Sequence, residues 1–394
     1  MRLRGGPREK ARDAVTDSTI QLLRDLVAIN SINPSLVPGA PGEAQIADAL
    51  ASHMRSFGLD VHMQMVAPGR PNTIGVLEGR RAGRALMLCG HVDTVGVTGM
   101  SDPFTPVERN GRLFARGAQD MKSGVAAMIG AARAIAEHGG LEAGRLIVAA
   151  VVDEEHSSIG ADALVTEWHA DAAVVTEPTD LAIAVGHKGF AWVEVDVEGK
   201  AAHGSRPADG QDAILRMGRV LRQLEALDRE LQGGMPHPLL GVPSLHASII
   251  AGGHELSSYP DHARLQMERR TLPAEPVSVA VQEVQDILTA LSVEDPTFRG
   301  SARRVFDRPG YELPADHPLP QTLAGAIRHV RGEATITGAS FWTDAAVLGH
   351  AGIPSVLFGP GGAGLHSTEE YVTLADVIVC RDALAEFART FCEG

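Results

Sequence analysis

Cysteine is nearly missing from this chain. The three present, Cys89, Cys380 and Cys392, show no paired spacing, which argues against a disulfide framework and fits a reducing, cytoplasmic setting. Long apolar runs are missing as well. No stretch approaches the roughly 18 apolar residues of a membrane span. The basic segment 1–12 has no apolar core behind it, so it reads as a frayed arm rather than a leader or an anchor. Positive charge is in deficit, with 35 Lys and Arg against 49 Asp and Glu and a formal net charge of -14. That balance argues against nucleic acid as a partner and leaves room for carboxylates gathered around a cation. There is no internal repeat and no low-complexity segment.

What the chain has is length and a change of texture. Its 394 residues exceed one ordinary core and suggest two domains. Asp17 is placed to cap a helix through Ile20, Leu23 and Val27, and a second helical pattern covers residues 43–57. Residues 61–65, 72–77 and 84–89 read as strands, the last of them stopping at Gly90 and then presenting His91 and Asp93. The string 112–124 leads into a small-residue helix over 125–138. The buried strand 146–152 ends in Asp153-Glu154-Glu155, and the strand 172–175 ends in Thr176-Glu177-Pro178-Thr179. Strands that release acidic or imidazole side chains at their ends describe a layered α/β sheet with its site on the carboxyl edge.

From Phe190 onward the pattern is different. A half-exposed strand over 190–197 is followed by a helix at 210–231, strands at 244–251 and 262–271, a helix at 277–291 and a strand near 298–306. This β-α-β-β-α-β order is that of a ferredoxin-like unit. It is an insertion, because residues 319–329 and 353–357 resume the style of the first part.

The polar residues at the strand ends of the first texture are His91, Asp93, Asp120, Glu154, Glu155, Glu177 and, in the last segment, His366. Carboxylates brought to one crevice raise each other's pKa unless a cation neutralises them. Two histidines with carboxylate oxygens suit zinc, cobalt or manganese. The number of groups exceeds what one tetrahedral ion uses and suits two ions sharing a carboxylate. Adjacent Glu154 and Glu155 point opposite ways in an extended stretch, so both reach one site only from a turn. Taken singly, each of these strings also reads as a solvated acidic turn or strand end.

Together, Gly90-His91-Val92-Asp93-Thr94-Val95, Ala115-Arg116-Gly117-Ala118-Gln119-Asp120-Met121-Lys122, Asp153-Glu154-Glu155, Thr176-Glu177-Pro178-Thr179 and His366 resemble, in order and spacing, the dinuclear-zinc aminoacylase and carboxypeptidase family. That family includes acetylornithine deacetylase, succinyl-diaminopimelate desuccinylase and the glutamate carboxypeptidases. The resemblance implies a layered α/β/α zinc-peptidase catalytic domain, 1–189 and 308–394, with an inserted ferredoxin-like lid and dimerisation domain, 190–307. It implies two divalent metal ions, zinc with cobalt or manganese as alternatives, and Asp120 as the bridge between them. His91 and Glu177 would complete one site, Glu155 and His366 the other. Asp93 would hydrogen-bond and orient His91. Glu154 would take a proton from the metal-bridging water and return it to the departing amine. The peptide Asp120-Met121 would be cis.

Two matches and one departure fall in the insertion. His203, in Gly199-Lys200-Ala201-Ala202-His203-Gly204-Ser205, would polarise the scissile carbonyl, and in dimeric members of the family this histidine reaches across from the partner subunit. Arg270 would fork onto the substrate carboxylate. Ser257 stands where the family usually offers an asparagine, and a shorter side chain with one donor puts that contact in doubt. Cys89 is read as a buried strand residue. The expected activity is hydrolysis of the amide bond of an N-acyl-amino acid, in the manner of acetylornithine deacetylase. A carboxypeptidase or dipeptidase acting on short peptides is the alternative. The expected partners are that small-molecule substrate and a second copy of the chain, paired through the lid, with no nucleic acid and no membrane.

Overall fold

The computed structural model describes residues 17–394, and the arm expected over 1–12 lies outside the described residues. Two compact units emerge. The first gathers the chain up to Val185 together with Leu313–Thr337 and Thr343–Gly394, and the second holds Gly186–Glu312 and Gly338–Trp342. The second unit therefore extends a few residues beyond the expected 190–307 at each end. The chain entering it pairs with the chain leaving it, His187 opposite Tyr311 and Gly186 opposite Glu312. Trp342 joins them by stacking edge-on against Phe190 and donating its indole N–H to the Pro309 carbonyl at 3.0 Å.

In the first unit the sheet runs Asp60–Ala67, Arg70–Glu78, Arg145–Val151, Ala85–His91, Ala172–Val175, Ser355–Leu357, Ile183–His187. The four strands from Arg145–Val151 to Ser355–Leu357 are parallel. Leu86 to Cys89 and Leu146 to Val151 are buried almost without break, as expected of strands covered on both faces. One helical layer holds Ser18–Val27, Ser123–Glu137, Pro318–Arg331 and Leu374–Glu393; the other holds Ala44–Ser56, Ile159–Glu167 and Ala345–His350. Asp17 caps the first helix by accepting from Thr19 N at 2.8 Å. Among the described residues no helix is long and apolar enough to cross a membrane.

The helix Ser123–Glu137 sits unusually close to the sheet because its first turn carries Gly124. A Cβ there would run into the carbonyl oxygen of Thr176. Gly124→Ala should destabilise the protein by about 1–3 kcal/mol through forced backbone movement, read as a lowered Tm in a thermal melt. An unchanged Tm would contradict the close approach.

The second unit is a four-stranded antiparallel sheet ordered Ser244–Gly252, His262–Thr271, Gly189–Glu198, Arg299–Arg308. Its helices, Ala213–Gln232 and Val279–Glu294, pack on one face through Val193, Val195, Val197, Leu265, Met267, Met217, Val220, Val284 and Leu288. Alternation along Gly189–Glu198 then turns Phe190, Trp192, Glu194 and Asp196 to the face without helices.

Candidate metal centre

The parallel strands deliver the polar residues to one edge. His91 closes the strand Ala85–His91, Glu154 and Glu155 follow Arg145–Val151, and Glu177 follows Ala172–Val175. Glu154 and Glu155 do stand in a turn, flanked by Asp153 and Ser158 at φ 71 and 57. The Asp153 carbonyl draws in the N–H groups of Ser157 and Ser158 at 3.1 and 2.6 Å. Asp120 sits inside the irregular turn Ala118–Lys122 before the helix Ser123–Glu137, and the Asp120-Met121 peptide is cis. His366 arrives on the loop ahead of Tyr371–Thr373, a short strand that pairs with Arg112–Phe114 and so brings the two loops together.

Asp120 stands at the centre. Its Oδ1 lies 3.0 Å from His91 Nε2 and its Oδ2 lies 3.2 Å from His366 Nε2. On the far side, His366 Nε2 is 3.0 Å from Glu155 Oε2. On the near side, His91 Nε2 is 3.8 Å from both Glu154 Oε2 and Glu177 Oε1. Ligand atoms of His91, Glu154 and Glu177, and of His91, Asp120 and Glu155, each fall within 4.8 Å of one another. The donor set is oxygen and imidazole nitrogen at spacings that a divalent cation could draw together.

The electrostatics point the same way. Burial pushes the carboxyls of Glu154 and Glu177 well above the usual range, and neighbouring carboxylates push in the same direction. Glu155 is raised to about 7 by burial and by the charge of Asp120. His366 is raised to about 10 by its hydrogen bonds to Asp120 and Glu155. Burial would lower His91, yet Asp120 and Asp93 outweigh it and hold the ring well above its ordinary value. Asp120, between the two imidazoles, is held low in spite of its burial, and so is Asp93 beside His91 and Asn33. Protons on the histidines do the work here that cations would do better.

Asp93 faces His91 through both its backbone and its carboxylate. His91 Nδ1 meets the Asp93 backbone carbonyl at 3.0 Å, while the carboxylate stands 3.5 Å away. The ring curls back onto its own chain two residues on, which leaves Nε2 as the atom facing the acids. The Asp93 carboxylate also accepts from the backbone N–H groups of Glu154 and Glu155 at 3.1 and 3.2 Å and from Asn33 at 2.8 Å. It therefore sets the turn that carries both glutamates.

Several supporting residues escaped the sequence reading. Asn33 also donates to Asp153 at 3.0 Å, and Arg70 pairs with Asp153 at 2.7 Å and with Glu43 at 2.8 Å. Lys122 is wholly buried and lowered to about 7 by that burial, and its Nζ ties the carbonyls of Leu26 and Ile29. Glu370 accepts from Gly117, Gln119 and Asp120 N–H groups at 3.0, 2.8 and 3.0 Å and pairs with Arg116 at 2.6 Å. Its place four residues after His366 was the signal available. Glu370→Ala would strand three buried donors and a buried guanidinium, and should cost about 3–5 kcal/mol in a urea titration. A loss below about 1 kcal/mol would contradict this bracing.

The remaining residues lie in the second unit. His203 is exposed, and its Nδ1 accepts from the backbone N–H of Ser205 at 3.2 Å and faces the Ser205 hydroxyl at 2.8 Å. That leaves Nε2 carrying the proton. Ser257 is beside it, its carbonyl accepting from Gly204 N–H at 2.7 Å. Arg270 is not with them. It is near the end of His262–Thr271 while Ser257 lies ahead of its start, and the climb from His262 to Arg270 spans about 26 Å. Register also separates the two consecutive arginines: Arg269 is buried and forks onto Glu275 and Glu283, whereas Arg270 stands on the helix-free face.

Comparison with known proteins places these features in company. The model of a family described as Peptidase family M20/M25/M40 matches residues 87–390. The chain is 32% identical to an acetylornithine deacetylase of Myxococcus xanthus, over 94% of this chain and 97% of that protein. It is 28% identical to an N-formyl-4-amino-5-aminomethyl-2-methylpyrimidine deformylase of Bacillus subtilis, over 95% of each. Among solved structures, a tripeptidase from Staphylococcus aureus aligns with a TM-score of 0.79 at 21% identity, covering 95% of this chain and 98% of that one.

Proposed function

Since this chain belongs to peptidase family M20/M25/M40 and is a metal-dependent hydrolase of amide bonds, we propose that it releases the free amine from an N-acyl-amino acid, as an acetylornithine deacetylase does. The full-length 32% identity to such an enzyme carries the choice of substrate. In this reading His91, Asp120 and Glu177 hold one divalent ion and Asp120, Glu155 and His366 hold another, zinc being the metal that suits the donors best. The division of the two Asp120 oxygens between His91 and His366, at 3.0 and 3.2 Å, supports it. Bound there, the ions would act as Lewis acids on the amide carbonyl and lower the pKa of water.

The chain's own residues do the rest. Glu154, raised by burial, takes the proton from the attacking water and delivers it to the departing nitrogen. Asp93 keeps His91 and the Glu154–Glu155 turn in register. His203, with its proton on Nε2, donates to the oxygen that becomes negative, and Arg270 forks onto the substrate carboxylate.

His203 bridges to Ser258 ahead of the strand His262–Thr271, and Arg270 stands near that strand's far end, which supports a histidine supplied by a second copy, as the resemblance to dimeric members implies. The exposed edge strand Ser244–Gly252, with Ile249 and Ile250 62% and 54% exposed, is a surface on which two copies would pair. Ile249→Lys with Ile250→Lys should turn a light-scattering dimer into a monomer and lower kcat by about 10²-fold, the worth of one oxyanion donor. A fully active monomer would contradict the arrangement. The reading as a whole is tested by amine release from N-acetyl-amino acids against dipeptides. Faster cleavage of the dipeptides would favour a peptidase of the same family.

A further inference from the structure

Arg270 is one of two cross-strand layers on the helix-free face of the second unit. Antiparallel register sets Arg270 opposite Phe190 and Glu268 opposite Trp192, and on the other side Arg308 opposite Phe190 and Phe306 opposite Trp192. Residues two apart along each strand share this face. Arg270, Glu268, Trp192 and Phe190 therefore form one contiguous patch.

The contacts within the patch are directional. Glu268 accepts from Arg270 Nε at 2.6 Å through one carboxylate oxygen and from the Trp192 indole N–H at 2.8 Å through the other. The guanidinium lies over the Phe190 ring, 5.4 Å from its centroid. Glu268 is 9% exposed, and Trp192 keeps 36% of its surface open. The two terminal amino groups of Arg270 have no hydrogen-bond or ion-pair partner among the described residues. A guanidinium held by Nε against a carboxylate and lying over a ring is restrained in its orientation. Its free edge is the pair of parallel N–H donors that matches a carboxylate.

We propose that Glu268, anchored by Trp192, is the positioning residue that orients Arg270 for a substrate carboxylate, so that this pair determines the enzyme's selectivity for substrates with a free carboxyl group. This rests on the reading of Arg270 given above. Geometry supplies the cause: ordering a five-bond side chain before the substrate arrives removes a cost that binding would otherwise bear. The neighbouring Arg269 makes the contrast, since one of its amino groups donates to Glu275 and Glu283 and the other to the Arg270 carbonyl at 2.6 Å.

The test compares the N-acetyl-amino acid cleaved fastest with the same compound capped as its carboxamide, on the full-length metal-loaded enzyme. Glu268→Ala should raise KM for the free acid about tenfold, leave its kcat within about threefold, and leave the carboxamide unchanged. Glu268→Gln, which keeps an accepting oxygen, should recover most of that loss. Trp192→Phe, which keeps the ring and loses the N–H, should show a smaller rise confined to the free acid. Equal losses on both compounds would overturn the proposal, because they mark a role in folding. Arg270→Met separates the two readings. If it abolishes the preference for the free acid while Glu268→Ala does not alter it, the positioning proposal falls alone. If Arg270→Met is also indifferent to the carboxylate, the reading of Arg270 falls and the proposal falls with it.

Discussion

Glu154→Gln should lower kcat by about 10³-fold and leave KM and metal content close to those of the unaltered protein. The size follows from the role, since a positioned proton carrier contributes on the order of 10²–10⁴-fold. Burial sets the Glu154 carboxyl well above the usual range, with the charges of Glu177, Asp344 and Glu155 adding to it. A carboxylate in that environment takes up a proton readily and sits on a turn fixed from behind by Asp93. Glutamine keeps the volume and the turn but has no carboxylate to take the proton. Steady-state kinetics on N-acetyl-amino acids would check this, and activity within tenfold of the parent would remove Glu154 from the chemistry.

Removing metal should be still more damaging. A chelator should abolish amine release, and added zinc should restore it. The stripped protein should also change its response to pH, and the sign can be worked out. Glu155 is raised to about 7 and His366 to about 10 in the folded, cation-free protein. Both folded values lie above the unfolded ones, so between about pH 4.5 and pH 10 the folded state binds more protons than the unfolded chain. Stability from these groups is present at the acid end of that window and is lost as pH rises through it. With cations replacing those protons, the loaded protein should be stabilised by mass action and lack most of this slope. Thermal melts of stripped and loaded protein across that range would check it; parallel pH profiles would contradict it.

Local strings made much of this centre legible in the sequence. A buried strand that stops at Gly90 and releases His91, or one that ends in Asp153-Glu154-Glu155, announces its geometry within ten residues. So do the cap at Asp17 and the alternation from Phe190. Residues whose meaning lies in distant partners stayed hidden. Glu370 is an ordinary acid until the fold sets it against the backbone of 117–120, some 250 positions away. Asn33 and Arg70 acquire their place only when Asp93 and Asp153 arrive beside them. The Asp93 carboxylate faces His91 and also accepts from the backbone donors of the turn behind it, a second use that no motif reveals. Strand register turns Arg270, the arginine the resemblance singled out, to the helix-free face and buries Arg269, and the separation of Arg270 from His203 comes from the length of one strand.

The most direct measurement is the number of zinc ions bound per chain after equilibrium dialysis. Two are expected for the unaltered protein and two for Glu154→Gln, with one or none for Asp120→Ala, because Asp120 presents an oxygen to each histidine. A single ion in the unaltered protein, or two retained without Asp120, would contradict a centre built around that carboxylate.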